Sequence, residues 1–347
     1  MHPILWVLSE DEDGEHRSSS ARDIRIGEVG MIGLIPLFLA GAYVGWNIGA
    51  NDAGNCIGTT VGSGLLSYRK AVALVCGFAV LGGLLQGSQV METMGSGIVD
   101  GLLPRYAILT ALLSAGAFVT LATFLRIPVS TSQAIVGGVA GVGLAAGLDI
   151  QTAKIVDIVQ VWVICPPLVG VMAVLLLVTA RWLLRRVNPG SFWQRLPYAL
   201  LILSSCYISF SLGANHVGTA MGPIAAVGIA PIWLSLIGGL ALASGALMLG
   251  RRVTETVGHG ITQLDAVSAF SAQLSAAFAV HFFSILGIPV STSQAVVGAV
   301  IGVGLLHGVR TVRLRKIGGI ALGWVATPTA AAILSFGIYK VILLISG

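Results

Sequence analysis

The chain has 347 residues, of which 56% are hydrophobic and 10% charged, with 46 glycines and a mean hydropathy of +0.93. A soluble domain carries about 25% charged residues, so this composition excludes an ordinary soluble enzyme or binding module and points to a multi-pass protein of the cell membrane, with the lipid bilayer as its solvent. The formal net charge of +5 comes from basic loops between apolar segments and implies no nucleic acid.

Residues 1–30 form a polar leader holding Glu10, Asp11, Glu12, Asp13, Glu15, Asp23 and Glu28. Its apolar part is too short for a signal peptide and is flanked by acids, so a mobile leader is expected. Residues 31–180 read as a first transmembrane repeat. Its apolar segments fall at about 31–66, 71–90, 104–125, 128–147 and 153–180, each near the ~20 residues a crossing requires, the first being too long for one straight helix. A basic linker, 181–195 (RWLLRRVNPGSFWQR), leads into a second repeat at 196–347. There the segments are about 196–230, 231–250, 264–286, 289–306 and 317–345.

Three anchors recur in the same order. NIGANDAGNCIGT (47–59) aligns with SLGANHVGTAMGP (211–223), METMGSGI (91–98) with TETVGHGI (254–261), and PVSTSQA occurs at both 128–134 and 289–295. The offsets are 164, 163 and 161. Five crossings per half, an odd number, would make the second half enter from the opposite side. Basic residues agree: Arg69, Lys70, Arg126, Arg181, Arg185, Arg186, Arg195, Arg251, Arg252, Arg310, Arg313, Arg315 and Lys316 gather on one side. By the positive-inside rule that side is cytoplasmic and both termini are extracytoplasmic. The expected fold is therefore an all-α polytopic membrane protein, built of two inverted-topology repeats with broken or re-entrant helices around a midplane site.

The two PVSTSQ strings carry the strongest signal. Proline followed by hydroxyl residues starts a helix, and a helix start offers unpaired N–H donors and the positive end of its dipole to an anion. Ser130, Thr131, Ser132 and Gln133 would face Ser291, Thr292, Ser293 and Gln294 around a tetrahedral oxyanion. The plainer reading is that the hydroxyls cap their own helices. In GAND, Asp52 is an ionisable group in an apolar run, which costs about 2.5–3.5 kcal/mol and marks function by default. With Asn51, Asn55, Asn215 and Thr219 it offers the oxygen ligands a hard cation such as sodium prefers. His216 replaces the acid in the second copy and, since histidine titrates near neutrality, is either a proton carrier or a structural hydrogen-bonding residue. Glu92 and Glu255, paired by the repeat, are candidates for a gate or secondary ligands. His259, His281 and His307 are expected in packing or loops. Cys56, Cys76, Cys165 and Cys206 sit in apolar segments without paired spacing and are expected as free thiols.

These anchors together resemble the inorganic phosphate transporter family of phosphate-symporting permeases. GAND before a Gly-rich helix, GRRVTETVGHGI and LGIPVSTSQAVVGAVIGVGLLHG carry the likeness, which covers residues 31–347. The resemblance implies a sodium- or proton-coupled symporter with phosphate held between half-helix starts. Ser130, Thr131, Ser132, Ser291, Thr292 and Ser293 would be its anion ligands, and Asn51, Asp52 and Asn215 would serve cation and anion together. No cofactor is implied beyond the coupling ion, and a homo-oligomer is left open. The chain departs from the pattern where GANH replaces a second GAND and PVSTSQ replaces PVSTTH, which keeps sulfate, carried by a related branch, as the rival substrate. A passive anion channel fits less well, because a channel needs no cation site, and an intramembrane enzyme lacks a nucleophile–base pair.

Overall fold

The computed structural model describes residues 31–62, 64–125, 129–186, 191–260, 264–306 and 314–346. A short 3-10 turn at Met31–Leu34 leads into eleven α-helices among these residues. They are α1 (Ile35–Gly62), α2 (Tyr68–Gln86), α3 (Ser88–Ser96), α4 (Arg105–Phe124), α5 (Thr131–Ala145) and α6 (Thr152–Arg185), then α7 (Ser191–Ala225), α8 (Pro231–Gly260), α9 (Ala266–Ile285), α10 (Thr292–Leu306) and α11 (Leu314–Ser346). The leader lies outside the described residues, as do Arg126, His307, Arg310 and Arg313.

Seven helical stretches are long and apolar enough to cross a membrane: Tyr68–Gln86, Arg105–Phe124, Thr152–Arg185, Arg195–Ala225, Pro231–Arg251, Ala266–Ile285 and Ala321–Ile345. The expectation of five full crossings per half is corrected at three places: α1, in the segment read at 31–66, carries Asn47, Asn51, Asp52 and Asn55 and is not among the seven, and two further segments are short. The segments read at 128–147 and 289–306 are the 15-residue helices α5 and α10. At 1.5 Å per residue they reach about 22 Å, short of the ~30 Å hydrocarbon core. Sequence apolarity overstated their reach because most of each helix is buried in protein and is apolar for that reason. The 71–90 segment also divides, ending α2 at Gln86 and restarting as α3 after Gly87. Helices enter the expected linker from both sides, α6 running to Arg185 and α7 starting at Ser191.

The two halves interlock through glycine. A Cβ on Gly49 of α1 would stand 1.8 Å from the Leu242 carbonyl oxygen of α8, and one on Gly245 would stand 1.8 Å from the Trp46 oxygen of α1. Between α7 and α2 the same pattern recurs, with Gly213 at 1.9 Å from the Ala79 oxygen and Gly82 at 1.9 Å from the Phe210 oxygen. The first helix of each half thus crosses the second helix of the other, with backbones in contact. The short helices do likewise: Gly137 of α5 meets Pro328 of α11, and Gly298 of α10 meets Pro166 of α6. Small residues let backbones close where lipid supplies no hydrophobic drive between helices. Large apolar side chains such as Leu85, Val163, Leu175, Met248 and Leu344 lie exposed on the outside, while serine, threonine, asparagine and glutamine crowd the interior.

Candidate functional site

Both PVSTSQ strings begin a helix as expected. Ser130 is the N-cap of α5, its hydroxyl accepting from the Gln133 backbone N–H at 3.3 Å. Ser291 does the same for α10, accepting from the Gln294 N–H at 3.2 Å. Each capping hydroxyl also meets the second serine of its string, Ser130 with Ser132 at 3.4 Å and Ser291 with Ser293 at 2.9 Å. The plainer role of capping is therefore filled by the first serine of each copy, leaving the threonines turned elsewhere.

Thr131 donates to Asp52 Oδ2 at 2.5 Å, and Asn55 Nδ2 donates to Asp52 Oδ1 at 3.2 Å. His216 stands between the two helix starts, with Nδ1 3.4 Å from the Thr131 hydroxyl and Nε2 2.8 Å from the Thr292 hydroxyl. Thr131 has given its one proton to Asp52, so toward His216 it can only accept. A neutral imidazole in this setting would carry its proton on Nδ1 and take the Thr292 proton at Nε2, whereas a charged one would donate from both nitrogens. The helix starts also touch directly, Ser132 Oγ donating to the Val290 carbonyl at 3.0 Å. Asp52, Thr131, His216 and Thr292 are all at most 1% exposed. A carboxylate, an imidazole and two threonines from four helices (α1, α5, α7, α10) form one connected polar cluster.

The two asparagines of the repeat hold the ends of neighbouring helices. Asn51 Nδ2 donates to Thr123 Oγ1 of α4 at 3.0 Å. Asn215 Nδ2 donates to Ser284 Oγ of α9 at 3.0 Å and to the Ile288 carbonyl at 3.1 Å, and its Oδ1 accepts from the Val290 N–H at 3.1 Å. Asn215, expected as a cation ligand, has its amide oxygen engaged by this backbone. Thr219 bonds back to the Asn215 carbonyl of its own helix at 2.8 Å and is not joined to the cluster.

Gln133 and Gln294 behave alike and apart. Each amide Oε1 is buried with no hydrogen-bond partner among the described residues. Each lies one turn before the glycine that meets a proline of α11 or α6, so it shares that face of its helix rather than the threonine face. Glu92 on α3 lines a polar hollow of about 330 Å3 with Gln89, Thr93, Ser96, Lys154 and the Ile285–Gly287 turn, away from Asp52. Glu255 lies on α8, and its side chain is outside the described residues. His281 bonds Tyr207 and Gln86 in packing. All four cysteines are free, three buried and Cys76 half-buried.

Sequence reading missed Thr123, Ser284 and Trp162. Trp162 Nε1 donates to the Pro289 carbonyl at 2.9 Å, beside the second helix start. A signal was present: WVICP at 162–166 and WVATP at 324–328 recur at an offset of 162, matching the other anchors.

Residues 48–335 match the phosphate transporter family. The chain is 31% identical to the "Putative phosphate permease" of Pyrococcus horikoshii, over 90% of this chain and 98% of that protein. It is 32% identical to the protein of the same description in Methanocaldococcus jannaschii, over 86% of this chain and 95% of that one. Among solved structures it resembles "The sodium-dependent phosphate transporter" with a TM-score of 0.82 and 28% identity, covering 91% of this chain and all of that one. The matched stretch includes both halves of the buried cluster, and this chain belongs to the phosphate transporter family, a multi-pass membrane transporter rather than an enzyme.

Proposed function

We propose that the protein is a secondary active symporter that imports inorganic phosphate, driven by a cation gradient. The observation that carries this reading is the junction of the two Ser-Thr-Ser helix starts through His216, with Asp52 bonded to one of them. Helix N-termini favour an anion through their free N–H groups and dipole. Thr131 and Thr292, which bond to side chains in this state, would turn their hydroxyls to the anion when it enters. Without Arg or Lys in the cluster the anion is held by dipoles and hydroxyls, which allows it to leave again.

Asp52, with Asn51 and Asn55 beside it on α1, is the place for the coupling cation, sodium by ligand hardness or a proton. The second half offers His216 at the equivalent position, so the two halves do not make equal cation sites. The same arrangement favours phosphate over sulfate. Hydrogen phosphate brings a proton that Asp52 can accept, and sulfate brings none. Inverted topology of the two repeats, with both termini extracytoplasmic, is supported by the recurring motifs, the interlocked packing and the one-sided basic residues.

The deciding experiment is uptake of labelled phosphate and labelled sulfate into proteoliposomes, with sodium and pH gradients imposed separately. Accumulation of phosphate against its gradient, abolished when the cation gradient is collapsed, is the expected result. Accumulation of sulfate alone would replace the substrate, and flux that follows voltage without cation coupling would replace the symporter by a channel.

A further inference from the structure

The long helices α6 and α11 carry the same internal proline pattern. In each, a tryptophan stands four residues before a proline, Trp162 before Pro166 and Trp324 before Pro328. Proline has no N–H, so the tryptophan carbonyl loses its helix bond and the helix is weakened at that level. Each proline is backed by a short helix. A Cβ on Gly298 would stand 2.3 Å from the Pro166 oxygen, and one on Gly137 would stand 2.2 Å from the Pro328 oxygen. One turn further on, Gly302 meets Gly170 and Gly141 meets Ala332, so each short helix runs parallel to the long one it rests on. Trp162 is thereby level with the start of α10, and Trp324 with the start of α5.

There the equivalence stops. Trp162 Nε1 donates to the Pro289 carbonyl at 2.9 Å. Trp324 Nε1 is buried with no hydrogen-bond partner among the described residues. The turn that Trp162 holds is bonded at neighbouring atoms too. Asn215 takes the Ile288 carbonyl and the Val290 N–H, and Ser132 takes the Val290 carbonyl. Three side chains from α5, α6 and α7 thus fix three consecutive peptides immediately before Ser291. Among them only Trp162 reaches the Pro289 carbonyl, from the proline-containing helix α6.

We propose that Trp162 is the positioning residue of the second anion-binding helix start. Its indole N–H fixes the Pro289 carbonyl, and with it the direction in which the Ser291–Thr292–Ser293 N–H groups and hydroxyls point. Trp162 acts through that turn and does not touch the anion. The proposal rests on reading the helix starts as the phosphate site. Orientation of donors is what a dipolar anion site depends on, since no mobile cationic side chain is at hand to follow a displaced ligand.

The test compares full-length Trp162→Phe with Trp324→Phe, which removes an indole of the same kind from the other half. Labelled-phosphate binding is measured together with hydrogen–deuterium exchange of segment 288–294 in the absence of anion. Trp162→Phe should weaken phosphate binding about tenfold, as expected for a buried carbonyl left without its donor, and speed exchange in that segment. Trp324→Phe should do neither. Where the smaller ring compromises folding, 3-benzothienylalanine at position 162 keeps the fused rings and replaces only the N–H. Faster exchange with unchanged affinity would reduce Trp162 to a structural contact and overturn the proposal. So would equal losses in both variants, or no change in either readout. If the wild type binds neither phosphate nor sulfate, the transport reading fails, and the anion-free exchange still shows separately whether Trp162 holds the turn.

Discussion

Thr131 carries one hydroxyl proton, and it goes to Asp52 rather than to His216. This single choice makes the two threonines unequal. Thr131→Val keeps the volume but removes a donor from a buried carboxylate as well as from the anion. Thr292→Val removes a partner of His216 as well as a donor to the anion, and leaves the carboxylate bonded. Anion binding should weaken by about 1–3 kcal/mol in each, more where the partner is charged, with Thr131→Val the more severe. Equilibrium binding of labelled phosphate checks both, and unchanged affinity in the pair would move the site elsewhere. Asp52→Asn should leave the protein inserted and folded while gradient-driven accumulation is lost, read as uptake with and without a cation gradient. His216 bridges both helix starts, so a charge on it would be felt at each. His216→Gln should flatten the pH profile of uptake, and an identical profile in wild type and variant would leave His216 a hydrogen-bonding residue only.

At the level of elements, the helix ends decide more than the helix faces. The start of α9 has Asp265 as N-cap, its Oδ1 accepting from the Ser268 N–H at 2.9 Å and its Oδ2 from Arg181 at 2.9 Å. Burial by itself would raise the Asp265 carboxyl, but the Ser268 N–H and hydroxyl and the Arg181 guanidinium outweigh it and hold the group below its ordinary value. A lowered folded value means that the stabilisation is present above the unfolded pKa, about 4, and is lost as pH falls through the folded one. Asp265→Ala should therefore cost about 1 kcal/mol at neutral pH, most of it from the cap. The ion pair is 37% and 53% exposed at its two side chains and adds little. Chemical denaturation at several pH values checks this, the gap between wild type and variant closing in acid. The cap itself is visible in sequence as Asp before an apolar run. The shortness of α5 and α10 is not, because glycine-rich apolar sequence reads the same whether it faces lipid or protein.

On the scale of the whole molecule, the closest backbone approaches join one half to the other. α1 crosses α8, α2 crosses α7, α5 rests on α11, and α6 rests on α10, each through contacts with glycine at the closest point. Cutting the chain between Arg186 and Ser191 should give two fragments that fail to accumulate separately and restore uptake when co-expressed. A stable, monodisperse single half would contradict the interlock. The duplicated anchors, the membrane class, the helix starts at Ser130 and Ser291 and the candidate status of Asp52 and His216 were all legible in the sequence. They depend on local chemistry: composition, capping residues, and a charge where charge is costly. Which oxygens meet depends on helix packing. Only the tertiary structure set Asn215 against the 288–290 backbone, separated Gln133 and Gln294 from the threonines, brought His216 between two helix starts, and gave Trp162 a partner that Trp324 lacks among the described residues. Such contacts join residues 69 to 127 positions apart, and their geometry follows from where glycine lets two backbones close, which no periodicity in the sequence records.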